Sequence, residues 1–203
     1  MNKMRLSGIV LIIGLIMFIA GSFIFTPPRL YQERDIDVRM QIVEDYRSQF
    51  TNAQIAAVVG TAVMAVGYLL LTLHLQRDET AGLANFAAVA MILGTISLAI
   101  LLVLSISDPR AFLERNSAEG SDFSIYDQGF TWLTITAYLL YGIVFLRGDF
   151  PRWLAYATLG FTILVLIVAL FIETAAVELL VFLMPLIVGI VLLRRSKAKL
   201  LIA

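Results

Sequence analysis

The 203-residue chain contains no cysteine and a single histidine, His74. Disulfides, thiolate nucleophiles and zinc ribbons are therefore excluded, and no histidine-based metal centre is expected. Charge is scarce too. Only 15% of residues are charged against a usual ~25%, and 15 basic residues balance 15 acidic ones. That balance leaves no basic footprint for nucleic acid. The catalytic signatures Gly-x-x-x-x-Gly-Lys, His-Glu-x-x-His and Gly-x-Ser-x-Gly are all missing. What is present is apolar: 60% of the chain, with a mean hydropathy of +0.91. A water-soluble globule of this size cannot hide that much apolar surface, and disorder requires the opposite composition. The bilayer has to be the solvent, and the expected class is all-α integral membrane.

Six continuous apolar stretches read as spans at about 6–25, 53–75, 81–107, 128–146, 153–172 and 175–193. Each is near the ~20 residues a helix needs to cross ~30 Å of hydrocarbon. Because they do not alternate, they are helices rather than barrel strands. Lys3 and Arg5 precede the first run and Ala20-Gly21-Ser22 is a conceivable cleavage site. The run is longer than a signal-peptide core, however, so an uncleaved span is expected. With both termini on one side, that side holds nine Lys/Arg and the other six. The positive-inside rule then predicts a multi-pass cell-membrane protein with both termini cytoplasmic. The sizeable outer segments are 26–52 and 108–127, within a single polytopic domain, 1–203.

Internal similarity is the most informative pattern. Pro28-Arg29-Leu30-Tyr31-Gln32-Glu33-Arg34 returns as Pro109-Arg110-Ala111-Phe112-Leu113-Glu114-Arg115, at an offset of 81. Thr61, Tyr68-Leu69-Leu70 and Arg77 return as Thr131, Tyr138-Leu139-Leu140 and Arg147, at an offset of 70. Counting back from Arg194 gives a third, degenerate copy, with Pro185-Leu186-Ile187 for Tyr-Leu-Leu and Glu178 for the threonine. The expectation is three helical hairpins in one orientation, with an added amphipathic helix after span one. Its stripe is Ile36, Met40, Val43, Tyr46 and Phe50, which suits a cap on the bundle, or a lid.

Several features carry both a structural and a functional reading. Thr26 and Asp108 are expected N-caps for the Pro-Arg segments, with Arg29/Glu33 and Arg110/Glu114 as i,i+4 pairs. Alternatively, Arg29 and Arg110 line an outer vestibule and grip an anionic group. The hydroxyl faces Thr131, Thr134, Tyr138, Tyr141 and Thr61, Tyr68, Thr72 either glue helices together or line a polar cavity. Ser7, Gly14 and Gly21 form a small-residue stripe for close helix contact. Glu178 is the one carboxylate drawn toward the bilayer, where it must pair with a cation or protonate.

The expected ligand-binding set is Glu178, Thr61, Tyr68, Thr131, Tyr138, Arg29 and Arg110, with no catalytic residue, cofactor or metal. The leading reading is a non-catalytic protein that binds a membrane lipid or small anionic ligand in an outer-leaflet pocket between repeated hairpins, with transport of that ligand as its extension. The alternative is a structural subunit docking a membrane partner, with a membrane-embedded enzyme in third place. In topology and length the layout resembles the substrate-binding S components of energy-coupling-factor vitamin transporters. That resemblance implies an outward-facing pocket and a cytoplasmic-side coupling partner. The alanine-x-x-x-alanine contact of that family's first span is replaced here by Ser7/Gly14/Gly21, so no residue carries over.

Overall fold

The computed structural model describes residues 3–27, 29–30, 32–76, 79–114, 124–171 and 181–200. Among them there are helices and no strands. Helix α1 is Lys3–Ile19, continued by a π turn, Ala20–Ile24; α2 is Ile36–Asp45, α3 Arg47–Leu75 and α4 Ala81–Ser107. Then come α5 Pro109–Glu114, α6 Ser124–Arg147, α7 Arg152–Phe171 and α8 Leu183–Leu200. Among the described residues, five stretches are long and apolar enough to cross a membrane: Lys3–Ile24, Arg47–Leu75, Ala81–Ser107, Ile125–Arg147 and Arg152–Phe171. Large apolar side chains face outward along them, for example Val66, Phe86, Val103, Ile163 and Phe171. Water does not tolerate an apolar exterior of this extent, whereas lipid does. α8 falls within the inner part of the expected sixth span but is not among the described stretches long and apolar enough to cross, and its last turns are basic; the expected outer part, 175–180, lies outside the described residues.

Neighbours in the chain are neighbours in space. α1 packs on α3, α3 on α4, α4 on α6, α6 on α7, and α8 returns to α1. The closest approach is between α1 and α3, where backbones meet without intervening side chains. A Cβ built on Gly60 would lie 2.4 Å from the Phe18 nitrogen, and one on Gly14 would lie 2.8 Å from the Gly60 carbonyl oxygen. Ser7 sits on the same face and donates to the Gly67 carbonyl at 2.8 Å. Gly21 is held against the backbone of Ala53 and Ala57. The stripe expected from the sequence is thus used inside the protein, and Gly8 similarly abuts Gly189 of α8.

The non-spanning segments differ from expectation in two places. The amphipathic stripe is not one helix over 36–50: the chain bends at Tyr46 (φ −116°, ψ 31°) between α2 and α3. The bend lets α2 fold back onto α5, so Val43 is buried while Tyr46 turns outward. Asp35 caps α2 by accepting from the Asp37 and Val38 amides. The two Pro-Arg segments also diverge. In the second, Asp108 accepts from the Ala111 amide and α5 follows, as an N-cap requires. In the first, Thr26 instead bonds back to the Ser22 carbonyl, and Arg29 adopts φ 67°. A left-handed residue cannot begin a right-handed helix, so Arg29, Leu30 and Gln32 lie in turns. Glu33 spends its carboxylate on the Arg34 and Asp35 amides. Pro28, Tyr31, Arg77 and Arg115 of the repeated motifs lie outside the described residues.

Candidate functional site

Two concavities need to be compared: a cleft at the centre of the bundle and a groove at the end that carries α2 and α5. The central cleft runs between α3, α4, α6 and α8. Its lining includes Thr61, Met64 and Tyr68 of α3, Thr134 and Tyr138 of α6, and Pro185 just inside α8. Three of the seven expected ligand-binding residues, Thr61, Tyr68 and Tyr138, therefore meet here. Thr131 is buried one turn away and Thr134 lines the cleft in its place. Arg29 and Arg110 are exposed at the α2 end and do not line it, and Glu178 lies outside the described residues.

The cleft is small and its accessible lining is almost entirely apolar, with hydrogen-bonded hydroxyls packed around it. The Tyr138 hydroxyl donates to the Val181 carbonyl at 2.9 Å, which ties α6 to the segment leading into α8. Thr72 and Tyr141 share a hydrogen bond of 2.8 Å, and Tyr141 also reaches the Tyr68 carbonyl at 3.4 Å. Above them Phe182 is stacked on Phe18 with ring centroids 3.7 Å apart, and on Phe130 at 5.9 Å. The free volume is only about 20 Å³. A drug-sized ligand needs roughly 300–1,000 Å³. As folded, the cleft has room for a water-sized molecule.

The rim arginines have different fates. Arg110 donates from Nε to Glu114 at 2.9 Å and from its terminal nitrogen to Asp37 at 3.2 Å, which joins α5 to α2. The Glu114 hydrogen bond, and after it the Asp37 charge, hold its pKa above the usual value. Both contacts are exposed, so they contribute little to stability. Arg110→Ala is expected to leave the thermal midpoint in detergent unchanged; a clear fall would show that this bridge holds α2 in place.

The groove lies beside the bend between α2 and α3. Phe25, Asp45, Tyr46, Arg47, Gln49 and Asn52 line it, and it is an open, shallow groove of about 410 Å³. One wall is fixed by Gln49, whose amide donates to the Thr26 carbonyl at 3.5 Å. Asp45 and Arg47 are exposed, and neither belongs to an ion pair among the described residues. Sequence patterning gave no sign of this groove, because the bend that creates it falls inside a continuous helical stripe. Asp127, which the apolar pattern places in the outer segment 108–127, is buried near the start of α6. Its placement in the first turn suits the helix dipole.

No known family, curated protein or solved structure matches the chain. Function has to be argued from the geometry.

Proposed function

We propose that the chain is a non-catalytic cell-membrane protein with six spans and cytoplasmic termini, which binds a phospholipid of the outer leaflet with its headgroup in the groove beside Tyr46. The observation that carries this reading is the coincidence of room and chemistry. The groove has ligand-sized volume, and it holds an acid and a base, two residues apart, that are in no ion pair among the described residues. Its level also matches: α1 and its π turn end at Ile24, and the apolar part of α3 begins at Ala53. Phe23, Phe25 and Tyr46 are exposed around it, as interfacial aromatics are. Arg47 is suited to grip a phosphate with two hydrogen bonds, and Asp45 to meet an ammonium group.

The framework behind the groove is proposed to be three tandem hairpins. Burial agrees position for position between 61–72 and 131–142. The offsets of 81 and 70 carry Gly14 to position 95, and Gly60 and Met64 to Phe130 and Thr134. Gly14 abuts Gly60 and Met64, while Gly94, one residue from the expected place, abuts Phe130 and Thr134. The third copy, counted from Arg77 to Arg194, aligns Met64, Thr134 and Val181, and aligns Tyr68, Tyr138 and Pro185. All six line the central cleft. In this proposal Thr61, Tyr68, Thr131 and Tyr138 hold the hairpins together, and Arg29, Arg110 and Glu178 are accessory charges on the lipid-binding side. A partner docking through the small-residue face of α1 has no support, because that face is covered by α3 and α8.

The test is native mass spectrometry of protein extracted in mild detergent from vesicles of phosphatidylethanolamine and phosphatidylglycerol. Arg47→Gln is expected to reduce bound phospholipid about ten-fold, since a charge-assisted hydrogen bond is worth roughly 1.5–3 kcal/mol. Glu178→Gln is expected to reduce it less. Equal lipid retention by Arg47→Gln and the parent protein would overturn the groove as the binding site.

A further inference from the structure

The end of the bundle opposite the groove is where α1 begins and α8 ends. The 22 residues Lys3–Ile24 separate the two ends by roughly 33 Å, at about 1.5 Å per residue. At this far end α1 and α8 lie antiparallel and in contact: a Cβ on Gly8 would meet Gly189, Leu192 and Leu193, and one on Gly189 would meet Ile12. About one turn farther along each helix, the same packing brings Arg5 level with Arg194 and Arg195. The turn between α6 and α7 reaches that level too, because the Arg195 guanidinium lies over the Phe150 ring, 5.0 Å from its centroid. Arg147 and Arg152 flank the turn.

Five guanidinium groups thus share one end. Arg5, Arg147, Arg152 and Arg194 are exposed and Arg195 is half-buried. No ion pair among the described residues includes any of them. Glu79 and Asp149, the acids at this end among the described residues, are exposed and equally without such a pair. Topology alone asks for an excess of positive charge on one side of the membrane. It does not ask for the seating of Arg195. Phe150 is buried and packs on Phe145, with ring centroids 4.8 Å apart, so the ring under the guanidinium is fixed. A ring contact holds the cation in place and leaves its N–H donors available. A pre-placed guanidinium with free donors suits a phosphodiester.

The neighbouring surface supplies the other half of a lipid site. Leu146 precedes Arg147, Trp153 and Tyr156 follow Arg152, and all three are exposed. An exposed tryptophan at the end of a span marks the headgroup boundary. The arginines therefore stand at phosphate level with an apolar wall next to them, as in sites between spans that take acidic headgroups. A free phosphate would use the arginines and leave the wall idle.

We propose that this end of the bundle binds an anionic phospholipid, with its phosphodiester held by Arg195 and Arg152 and its acyl chains against Leu146, Trp153 and Tyr156. Arg5, Arg147 and Arg194 supply the surrounding positive field. The site is separate from the groove beside Tyr46. It selects for net negative charge on the lipid, which a headgroup meeting both Asp45 and Arg47 does not need.

Trp153 reports on the site within the bilayer, without extraction. The chain has two tryptophans, so Trp132→Phe leaves Trp153 as the sole indole. The full chain with this substitution is reconstituted into phosphatidylcholine vesicles that carry brominated phosphatidylglycerol or, separately, brominated phosphatidylcholine. Bromine quenches an indole that it touches. Quenching is expected to show a preference of about twenty-fold for the anionic lipid, about five-fold from each of the two arginines that hold the phosphate. Arg195→Gln and Arg152→Gln should each reduce it about five-fold. Phe150→Leu keeps every charge but removes the seat of Arg195, and should reduce it as well. Arg47→Gln, in the groove, should leave it unchanged, so the two sites can fail separately. Equal quenching by the two lipids would overturn the proposal. So would a preference that survives Arg195→Gln or Phe150→Leu, or quenching relieved by inorganic phosphate at constant ionic strength.

Discussion

Alanine at position 60 is expected to deprive detergent extracts of most of their folded, monodisperse protein, although it adds a single methyl group. The new Cβ would meet the Phe18 nitrogen at 2.4 Å, the Phe18 Cα at 2.8 Å and the Gly14 carbonyl oxygen at 2.8 Å. None of these is a flexible side-chain end that can swing aside. The whole of α1 has to retreat, and with it the Ser7–Gly67 hydrogen bond and the Gly21 contact with Ala53 and Ala57. In lipid no hydrophobic force draws the helices back together; association rests on van der Waals packing and hydrogen bonds that fall away with separation. The cost belongs at the upper end of the overpacking range, about 3 kcal/mol. At 2–4 °C per kcal/mol for a chain of this length, the midpoint should drop by roughly 6–12 °C. Gly160→Ala is the control, since nothing lies within 4 Å of a Cβ there. It should match or exceed the parent, because alanine favours the helix by up to about 1 kcal/mol. Size-exclusion profiles recorded against temperature separate the two. Equal losses in both variants would assign the effect to the helices themselves and not to the α1–α3 contact.

That contact also illustrates what the sequence made legible. Ser7, Gly14 and Gly21 could be read as a close-packing face, because small residues at heptad spacing have few other uses in an apolar helix. Which helix they would meet was not legible, since Ala53, Ala57 and Gly60 on one span and Ala84 and Ala88 on another offer similar surfaces. The span helices were legible because a long apolar run in lipid has one way to satisfy its backbone. The bend at Tyr46 was not, since Ile36, Met40, Val43, Tyr46 and Phe50 keep helical spacing across it. It follows from tertiary packing, which places Val43 under α5. The same bend creates the groove, so the residues lining it were invisible to periodicity. The hydroxyl face of α6 was visible at Thr131, Thr134 and Tyr138, but both threonines are buried, and only the packing of the neighbouring helices makes Thr134 the one that meets the cleft. Arg29 and Arg110 share a motif and differ in backbone, since Pro27 and the left-handed Arg29 prevent in the first segment the short helix that Asp108 caps in the second.

Phe182→Ala is expected to loosen α8 from the rest of the bundle while leaving the α1–α3 and α4–α6 pairs intact. The backbone of α8 runs close to α1, and its link to α6 depends on side chains: the Phe182 ring against Phe130, and the bond from Tyr138 to the Val181 carbonyl. Phe182 also stacks on Phe18 at 3.7 Å, so one ring is wedged between two helices that do not otherwise hold it. In a water-soluble core, deleting such a ring costs about 3–5 kcal/mol, part of it for transfer from water. That part is small here, because lipid is as apolar as the protein interior. What remains is lost packing and the cavity, about 2 kcal/mol, or a midpoint lowered by roughly 4–8 °C. A double-mutant cycle with Phe18→Ala isolates the stacked pair, whose coupling should be about 0.5–1.5 kcal/mol. Phe182→Leu, which refills much of the space without a ring, should recover part of the loss and none of that coupling. If Phe182→Ala unfolds at the same temperature as the parent, then α8 is held by its packing against α1, where Gly8 meets Gly189, Leu192 and Leu193. α8 would then lean on α1 rather than form a wall of the cleft in its own right, which would count against the proposed third hairpin.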